Sequence, residues 1–218
     1  MSAEPNQSTT RKVIAVVGTK GGIGKTTVTN GLAGALALKG HTVSVIDADP
    51  QGSSLAWADT AARNGVRLPY RTGSASQSTL PASVAHSKGG WIIIDGPPGR
   101  TDVTLAMLGE AHVALIPTQP EALALDRLSS TLGLIGQASA ANPGLGCLVV
   151  VNQADRRTSE ATAAPEILRH EGIPVADTVV PRLARINRAF GTNVVSPAWV
   201  ALADELIAAV GAESEVAA

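Results

Sequence analysis

A turn rich in lysine and glycine near the start of the chain carries the clearest chemical signal. It reads Lys20-Gly21-Gly22-Ile23-Gly24-Lys25-Thr26-Thr27 and follows an apolar, β-branched run at 13–17. Glycines let the main chain adopt conformations that other residues avoid, and they let a phosphate approach the backbone closely. A helix that begins near Thr26 adds free N–H groups and the positive end of its dipole. The pattern predicts a P-loop in which Lys25 reaches the β- and γ-phosphates of a nucleoside triphosphate and the Thr26 hydroxyl ligates Mg²⁺.

The loop departs from the strict P-loop pattern at one position. The pattern G-x-x-x-x-G-K-[ST] requires a glycine where this chain has Thr19, and a second lysine, Lys20, stands at the head of the octet. A dinucleotide-binding loop is an alternative, because Gly22-x-Gly24 is followed 23 residues later by the acid Asp47. That loop needs a third glycine where Thr27 stands, and it gives Lys25 and Thr26 no role. The P-loop is therefore the favoured interpretation.

Acidic and amide side chains follow several predicted strands at the point where each strand ends. They are Asp47 and Asp49 after the run at 42–46, Asp95 after 91–94, and Asn152 after 148–151. Ligands of open parallel sheets sit beyond the carboxyl ends of the strands, so we expect these side chains to meet the glycine loop. Asp95 ends its strand as a Walker B acid does and is predicted to hold the metal, through water. Asp49-Pro50 also has a plain interpretation as a turn, and so has Asn152.

Apolar strands alternate with amphipathic helices along the chain. Strands are predicted at 13–17, 42–46, 67–71, 91–94, 112–116, 147–151 and 173–180. Helices are predicted at 26–39, 54–63, 80–86, 102–109, 121–138, 160–170, 183–189 and 197–210, with a loop at 72–79. This alternation predicts an α/β fold of the P-loop NTPase type, with a mostly parallel, doubly wound sheet flanked by helices on both faces. We expect a single domain at 12–211, between a flexible lead-in at 1–11 and a flexible acidic tail at 212–218.

The composition limits the classes of function that fit. The chain has 218 residues, 44% hydrophobic and 16% charged, with a net charge of −1. It therefore has no overall attraction to DNA, and any nucleic-acid contact must come from a local cluster. No apolar stretch reaches the roughly 20 residues that cross a bilayer, and 1–10 lacks the apolar core of a signal peptide. The single cysteine, Cys147, forms no internal disulfide, so we expect a cytoplasmic protein.

Three arginines near the end of the chain form its densest basic cluster. Arg182, Arg185 and Arg188 are spaced three apart, so on a helix they would lie along one face. Such a face, with Arg156-Arg157 nearby, suits contact with a phosphate backbone without base reading. A solvated helix face is the ordinary alternative.

The octet resembles the deviant Walker A motif of the ParA/MinD family of ATPases. Two later segments, Asp47-x-Asp49-Pro50-Gln51 and Asp95-Gly96-Pro97-Pro98-Gly99, are similar to further signatures of that family. The best match is the small ParA type, which has no N-terminal DNA-binding domain. The resemblance covers nearly the whole chain from Arg11 onward, although outside these motifs it is loose.

The resemblance implies a role for each matched residue. Lys20 would reach across an ATP-bound homodimer to the partner's nucleotide and act with Lys25 in catalysis. Asp49 would help to activate water, Asp47 would support the metal site with Asp95 and Thr26, and Asn152 would read the adenine. The implied nucleotide-binding residues are Lys20, Gly21, Gly22, Gly24, Lys25, Thr26, Thr27 and Asn152.

The resemblance also implies cofactors and partners. We expect ATP and Mg²⁺, with slow hydrolysis. The ATP-bound dimer is expected to bind DNA without sequence preference through Arg182, Arg185 and Arg188, and so to associate with the nucleoid. A ParB-like or other adaptor protein is expected to stimulate hydrolysis, so that DNA or a protein cargo is segregated or positioned.

Other classes fit less well. A MinD-like ATPase at a membrane surface needs a basic amphipathic C-terminal helix, whereas 203–215 is acidic. A metallocluster carrier needs paired cysteines, whereas this chain has one cysteine, Cys147. A GTPase is disfavoured because Gln153 stands where the guanine-reading motif has lysine. A P-loop kinase of a small metabolite stays open, and its ATP turnover would depend on that metabolite and not on DNA.

Overall fold

The computed structural model describes residues 11–120, 125–155, 157–182, 184–193 and 195–216. Seven strands form one sheet in the order β3-β2-β4-β1-β5-β6-β7, and every neighbouring pair is parallel. The strands are β1 (Lys12–Val16), β2 (Val43–Asp47), β3 (Arg71–Ser74), β4 (Trp91–Asp95), β5 (Val113–Thr118), β6 (Gly146–Ala154) and β7 (Val175–Pro181). The predicted α/β fold with a parallel sheet is confirmed.

Helices connect successive strands and cover both faces of the sheet. They are α1 (Lys25–Leu38), α2 (Ser53–Arg63), α3 (Leu80–His86), α4 (Thr101–Glu110), α5 (Leu125–Ser139), α6 (Ser159–His170), α7 (Ala184–Asn187) and α8 (Pro197–Val216). Strands covered on both faces are mostly apolar; β4 has four apolar residues followed by Asp95, and all five are buried. Two hydrophobic clusters result, one on each face of the sheet.

The helix after the P-loop packs unusually close to the last helix. Gly31 lies in the middle of α1, and a Cβ built there would come within 2.2 Å of the Trp199 ring in α8. Trp199 is completely buried. A glycine inside a helix costs about 1 kcal/mol relative to alanine, and here it makes room for the indole. This contact fixes α1, and with it the P-loop, against the body of the domain.

Several predicted elements differ from the observed ones. The strand expected at 67–71 lies instead at Arg71–Ser74, inside the segment predicted as a loop. Pro69 has no N–H for a sheet ladder, and β3 is a polar edge strand that pairs only with β2, so it lacks the apolar pattern of a buried strand. The last helix extends past its predicted end to Val216. The part of the predicted helix at 121–124 lies outside the described residues.

The basic helix expected at 183–189 is shorter than predicted. Of the described residues in 183–189, only Ala184–Asn187 form a helix, α7. The strand β7 continues to Pro181, and the main chain of Arg182 still bonds to the end of β6. Arg182 therefore precedes the helix and Arg188 follows it. The prediction that these arginines share one helix face with Arg185 is wrong.

Candidate nucleotide-binding site

The glycine loop lies between the end of β1 and the start of α1. Gly22 and Gly24 have φ of 78° and 88°, which is a conformation that favours glycine. A Cβ at Gly21 or Gly22 would meet nothing within 4 Å, so this part of the loop is open to a ligand. α1 begins at Lys25 with no side-chain cap, and its first N–H groups remain available to an anion. The loop has the form of a phosphate cradle.

The two lysines of the octet occupy different environments. Lys25 is buried, and its Nζ donates to the carbonyl oxygens of Gly18 and Lys20, at 3.2 Å and 2.9 Å. Burial lowers the pKa of Lys25, and the charges of Asp95 and Asp49 partly offset that effect. The Lys20 side chain is exposed. Lys25 is therefore directed into its own loop, while the Lys20 side chain reaches the solvent.

Asp95 ends β4 beside β1 and is almost completely buried. Its carboxylate accepts hydrogen bonds from Ser54 Oγ at 2.7 Å and Thr29 Oγ1 at 3.3 Å. Burial raises the pKa of Asp95 to about 6, and the nearby Ser54 and Thr26 hydroxyls oppose the shift. Nearby Asp47 raises it further, and Lys25 lowers it. A carboxylate in this position would be stabilised by a divalent cation, which supplies the positive charge that burial withholds.

The two other acids hold the turn that follows β2. Asp47 accepts from the main-chain N–H of Asp49 at 3.1 Å and of Leu55 at 3.0 Å. Burial raises the pKa of Asp47, and these N–H groups oppose the shift. Asp49 Oδ1 accepts from Gln51 N at 2.9 Å, so Asp49 takes part in a turn as well as facing Lys25 electrostatically. Each carboxylate oxygen of Asp47 accepts one main-chain hydrogen bond and keeps a further lone pair, so support of the metal site by Asp47 stays a prediction.

A buried chain of hydrogen bonds supports Asp95 from behind. The Tyr70 hydroxyl donates to Asn30 Oδ1 at 3.0 Å, and Asn30 Nδ2 donates to Ser54 Oγ at 2.9 Å. Ser54 Oγ in turn donates to Asp95. Asn30 Nδ2 also reaches the carbonyl of Thr26, at 2.8 Å. This Tyr70–Asn30–Ser54 chain fixes the Asp95 carboxylate relative to the first turn of α1.

Sequence reasoning missed this chain because its members carry no motif. Asn30 and Ser54 are polar residues inside predicted helices, and Tyr70 lies in a segment predicted as a strand. The one available signal is that Asn30 lies four residues after Thr26, on the same face of α1. Pairing across α1, α2 and the residue before β3 could not be predicted from spacing.

Asn152 lies inside β6, whereas the sequence predicted a position after the end of the strand. The strand continues to Ala154, because its pairing with β7 extends to Pro181. Asn152 is 3% exposed, and its Nδ2 donates to the carbonyl of Ile23 at 2.8 Å. The amide therefore braces the P-loop, and adenine reading by Asn152 stays a prediction.

Gln153 is a second brace that the sequence did not reveal. It has a φ of 56°, rare for a residue with a side chain. Its Nε2 donates to the carbonyl of Gly22 at 3.2 Å, and its Oε1 accepts from Gln119 at 2.7 Å. A Cβ at Gly24 would come within 2.5 Å of the Asn152 amide. The P-loop glycines thus serve close packing as well as phosphate approach.

The assembled residues suit a nucleotide and Mg²⁺. Gly21 and Gly22 leave the loop open, Lys25 supplies a cation, and the Thr26 hydroxyl lies beside the buried Asp95. No group of three or more His, Cys, Asp or Glu within the described ranges could hold a metal by itself. Mg²⁺ accepts one or two protein oxygens and completes its shell with water and phosphate. The donor set matches that mode of binding.

The predicted DNA-contact arginines are far from the P-loop in the sequence, and their environments differ. The side chains of Arg182 and Arg188 are exposed. Arg185 lies in α7, and its side chain is outside the described part of the structure, as is Arg156. Arg157 pairs with Asp155 at 2.6 Å. Arg182 and Arg188 stay candidates for phosphate contact, but Arg157 is already compensated.

Known proteins resemble the chain along most of its length. It is 30% identical to the maintenance of carboxysome distribution protein A of Halothiobacillus neapolitanus, over 81% of this chain and 82% of that protein. It is 30% identical to the chromosome-partitioning ATPase Soj of Thermus thermophilus, over 90% of this chain and 96% of that protein.

Solved structures share the fold, and a family profile matches most of the chain. The septum site-determining protein MinD of Pyrococcus horikoshii, complexed with Mg-ADP, superimposes with a TM-score of 0.70 at 20% identity, over 92% of this chain and 98% of that chain. Residues 14–195 match the family described as CbiA: CobQ/CobB/MinD/ParA nucleotide binding domain. The chain belongs to the CobQ/CobB/MinD/ParA family of nucleotide-binding domains, and the predicted ParA/MinD resemblance is confirmed.

Proposed function

We propose that this protein is a positioning ATPase of the ParA type, which binds ATP and Mg²⁺ and dimerises around the nucleotide. The observation that carries the proposal is the contrast between the two loop lysines. Lys25 is buried in its own loop, whereas Lys20 is exposed at the mouth of the site. The names of the relatives, a carboxysome distribution protein and a chromosome-partitioning ATPase, support a positioning role.

Each residue of the site has a task in hydrolysis. Lys25 and the N–H groups at the start of α1 bind the β- and γ-phosphates. Thr26 and Asp95 would hold Mg²⁺, which would neutralise charge on the phosphates. Asp49 orients the attacking water, and Asp47 holds the turn that carries Asp49. Lys20 of one protomer adds positive charge to the partner's site, so hydrolysis requires the dimer.

The dimer is proposed to hold DNA without sequence preference. Arg182, Arg185 and Arg188 follow β7 at the carboxyl edge of the sheet, the edge that also carries the P-loop. Dimerisation across that edge would place two arginine groups on one assembly and double the phosphate contacts. A ParB-like or other adaptor then stimulates hydrolysis and releases the protein, so that DNA or a protein cargo is positioned. No described helix is long and apolar enough to cross a bilayer.

A comparison of the two lysines tests the proposal. Mg-ATP should convert the wild-type protein from monomer to dimer in sedimentation velocity. Lys20→Ala should bind ATP with an affinity within about threefold of wild type but stay monomeric, whereas Lys25→Ala should lose at least tenfold in affinity. Arg63→Ala removes an exposed cation of α2 and should behave as wild type.

The opposite result would point to a different enzyme. If Lys20→Ala dimerises with ATP as wild type does, the role assigned to Lys20 is wrong. If DNA, the product of the adjacent reading frame and both together leave ATP turnover unchanged, while a small metabolite raises it, the protein is a P-loop kinase.

A further inference from the structure

A second concave site lies at the amino ends of the strands, at the edge of the sheet opposite the P-loop. It is a cavity of about 320 Å³ beside β2, β3 and β4. Its polar lining comes from Thr42, Ser44, Arg67, Tyr70, Arg71 and Lys88. Leu68, Pro69 and Val43 supply apolar walls. A volume of this size matches small-ligand pockets, which are about 300–1,000 Å³.

The charge around this cavity has one sign. Residues 60–94 contain four Lys and Arg and no Asp or Glu, in a chain whose net charge is −1. Three of those cations, Arg67, Arg71 and Lys88, line the cavity, and no carboxylate does. All three side chains are exposed, and none pairs with an acid within the described ranges. Other exposed arginines do pair, as Arg100 does with Asp102.

The walls are shaped to bring hydrogen-bond donors together. A Cβ at Gly89 would come within 2.6 Å of the Trp91 carbonyl and 2.9 Å of Ser44 Oγ, so this glycine lets the chain cross closely over β2 and carries Lys88 to the rim. The Ser44 hydroxyl makes no hydrogen bond to the rest of the described chain. Two guanidinium forks, an ammonium and a hydroxyl are the groups that bind a phosphate or sulfate in proteins.

The cavity also touches the buried support of the metal-site carboxylate. Tyr70 lines the cavity, and its hydroxyl begins the Tyr70–Asn30–Ser54 chain that ends at Asp95. Tyr70 is 8% exposed and packs in one of the two hydrophobic clusters that cover the sheet. A ligand that shifts the residues around Tyr70 would therefore alter the hydrogen bond that Ser54 gives to Asp95.

We propose that this cavity binds a small phosphorylated anion and that its occupancy changes ATP turnover through Tyr70. The concave shape and the convergence of three cations on one cavity favour a small ligand over duplex DNA. The effect on turnover rests on the proposed ATPase function, whereas binding of the anion does not.

Sulfate is the probe for binding, because it mimics phosphate and is not a product of hydrolysis. The protein is saturated with Mg-ADP, so that the P-loop is filled, and ionic strength is held constant with chloride. Sulfate should give saturable backbone amide shifts in an NMR titration at residues 67, 68, 70, 71, 88 and 89. The double variant Arg67→Gln/Arg71→Gln should bind at least tenfold more weakly, while Arg63→Gln, outside the cavity, should bind as wild type does.

Turnover tests the coupling in the same variants. Sulfate should change the ATP turnover of wild type at least twofold more than it changes that of Arg67→Gln/Arg71→Gln. The double variant has an unchanged P-loop, so it controls for competition between sulfate and nucleotide at that loop. Tyr70→Phe should retain sulfate binding and lose this response.

Three results would overturn the proposal. Sulfate shifts that do not saturate, or that persist in the double variant, would exclude the binding site. Binding without an effect on turnover, in a protein that hydrolyses ATP, would exclude the coupling. If sulfate does not saturate and the double variant instead loses DNA retention, the three cations serve DNA and not a small anion.

Discussion

Asp95 combines a buried position with a charge that its surroundings only partly compensate. Two hydroxyl donors and one lysine stabilise the carboxylate, yet burial still raises its pKa to about 6. A site that binds a divalent cation gains from this arrangement, because the cation restores the missing compensation. We expect the same arrangement to make the nucleotide-free protein less stable than it would be with a neutral residue, which is a common cost of function.

The stability of the nucleotide-free protein should therefore depend on pH through Asp95. The folded pKa lies above the ordinary value of 3.8, so the folded state binds the proton more tightly than the unfolded chain. The free energy of unfolding should fall as pH rises from about 4 to about 6. Asp95→Asn should exceed wild type by about 1–3 kcal/mol at pH 7.5 in urea unfolding without Mg²⁺, and by little at pH 4.

A surface acid supplies the control for this measurement. Asp59→Asn changes an exposed residue of α2 and should leave the free energy of unfolding within about 0.5 kcal/mol of wild type at both pH values. An Asp95→Asn variant that is less stable than wild type at pH 7.5 would show that the charged carboxylate stabilises the fold.

Asp49 is expected to act on hydrolysis and not on assembly. Within the described ranges its carboxylate accepts a hydrogen bond from the turn at Gln51, and it lies near Lys25. Asp49→Ala should therefore remain dimeric with ATP, and turnover should fall by at least about 100-fold. Light scattering at successive times after ATP addition gives the assembly state, and Asp59→Ala is the control. Dissociation at the wild-type rate would remove Asp49 from the mechanism.

At the level of elements, the contact between α1 and α8 fixes the P-loop helix. A methyl group at Gly31 would overlap the Trp199 ring, which is fully buried and has no space to retreat. Gly31→Ala should lower the free energy of unfolding by about 1–3 kcal/mol in urea, despite the better helix propensity of alanine. Gly133→Ala is the matched control, since a Cβ in this exposed helical position meets nothing within 4 Å.

The control should change stability in the opposite direction. Gly133→Ala is expected to raise the free energy of unfolding by up to about 1 kcal/mol. Equal effects of the two substitutions would mean that α8 adjusts around Trp199 at no cost.

The elements also show where sequence reasoning succeeds and where it stops. Buried parallel strands such as β1 and β4 are continuous apolar runs, so their positions and the polar residues at their ends could be predicted. β3 could not be predicted, because a polar edge strand has no such run. The ends of β6 and β7 depend on their mutual pairing, which local sequence does not encode.

The site shows the same division between local and long-range information. The P-loop is a contiguous octet and could be predicted residue by residue. Gln153, which braces the loop, and Tyr70, which supports Asp95, come from distant parts of the chain. Their contacts could be identified only from the structure. The arginine cluster was predicted on helical spacing that α7 does not provide.

At the level of the whole molecule, DNA contact must come from local charge, because the net charge is −1. The double variant Arg182→Gln/Arg188→Gln should weaken DNA retention in the ATP-bound state by about the same factor for every DNA sequence. The slope of log affinity against log salt should fall in magnitude by about 1 for each lost phosphate contact. Filter binding at several salt concentrations measures it, and Arg157→Gln, whose arginine already pairs with Asp155, is the control. An unchanged slope would move the DNA contact elsewhere on the surface.

We propose that ATP, acting through Lys20, converts a monomer into a dimer that holds DNA. The most direct measurement compares retention on immobilised duplex DNA with Mg-ATP and with Mg-ADP, for wild type and Lys20→Ala, over a range of salt concentrations. Wild type should be retained at least tenfold better with ATP than with ADP, with retention falling as salt rises, and Lys20→Ala should show no such gain. Equal retention with ATP and ADP, or an undiminished gain in Lys20→Ala, would contradict the claim.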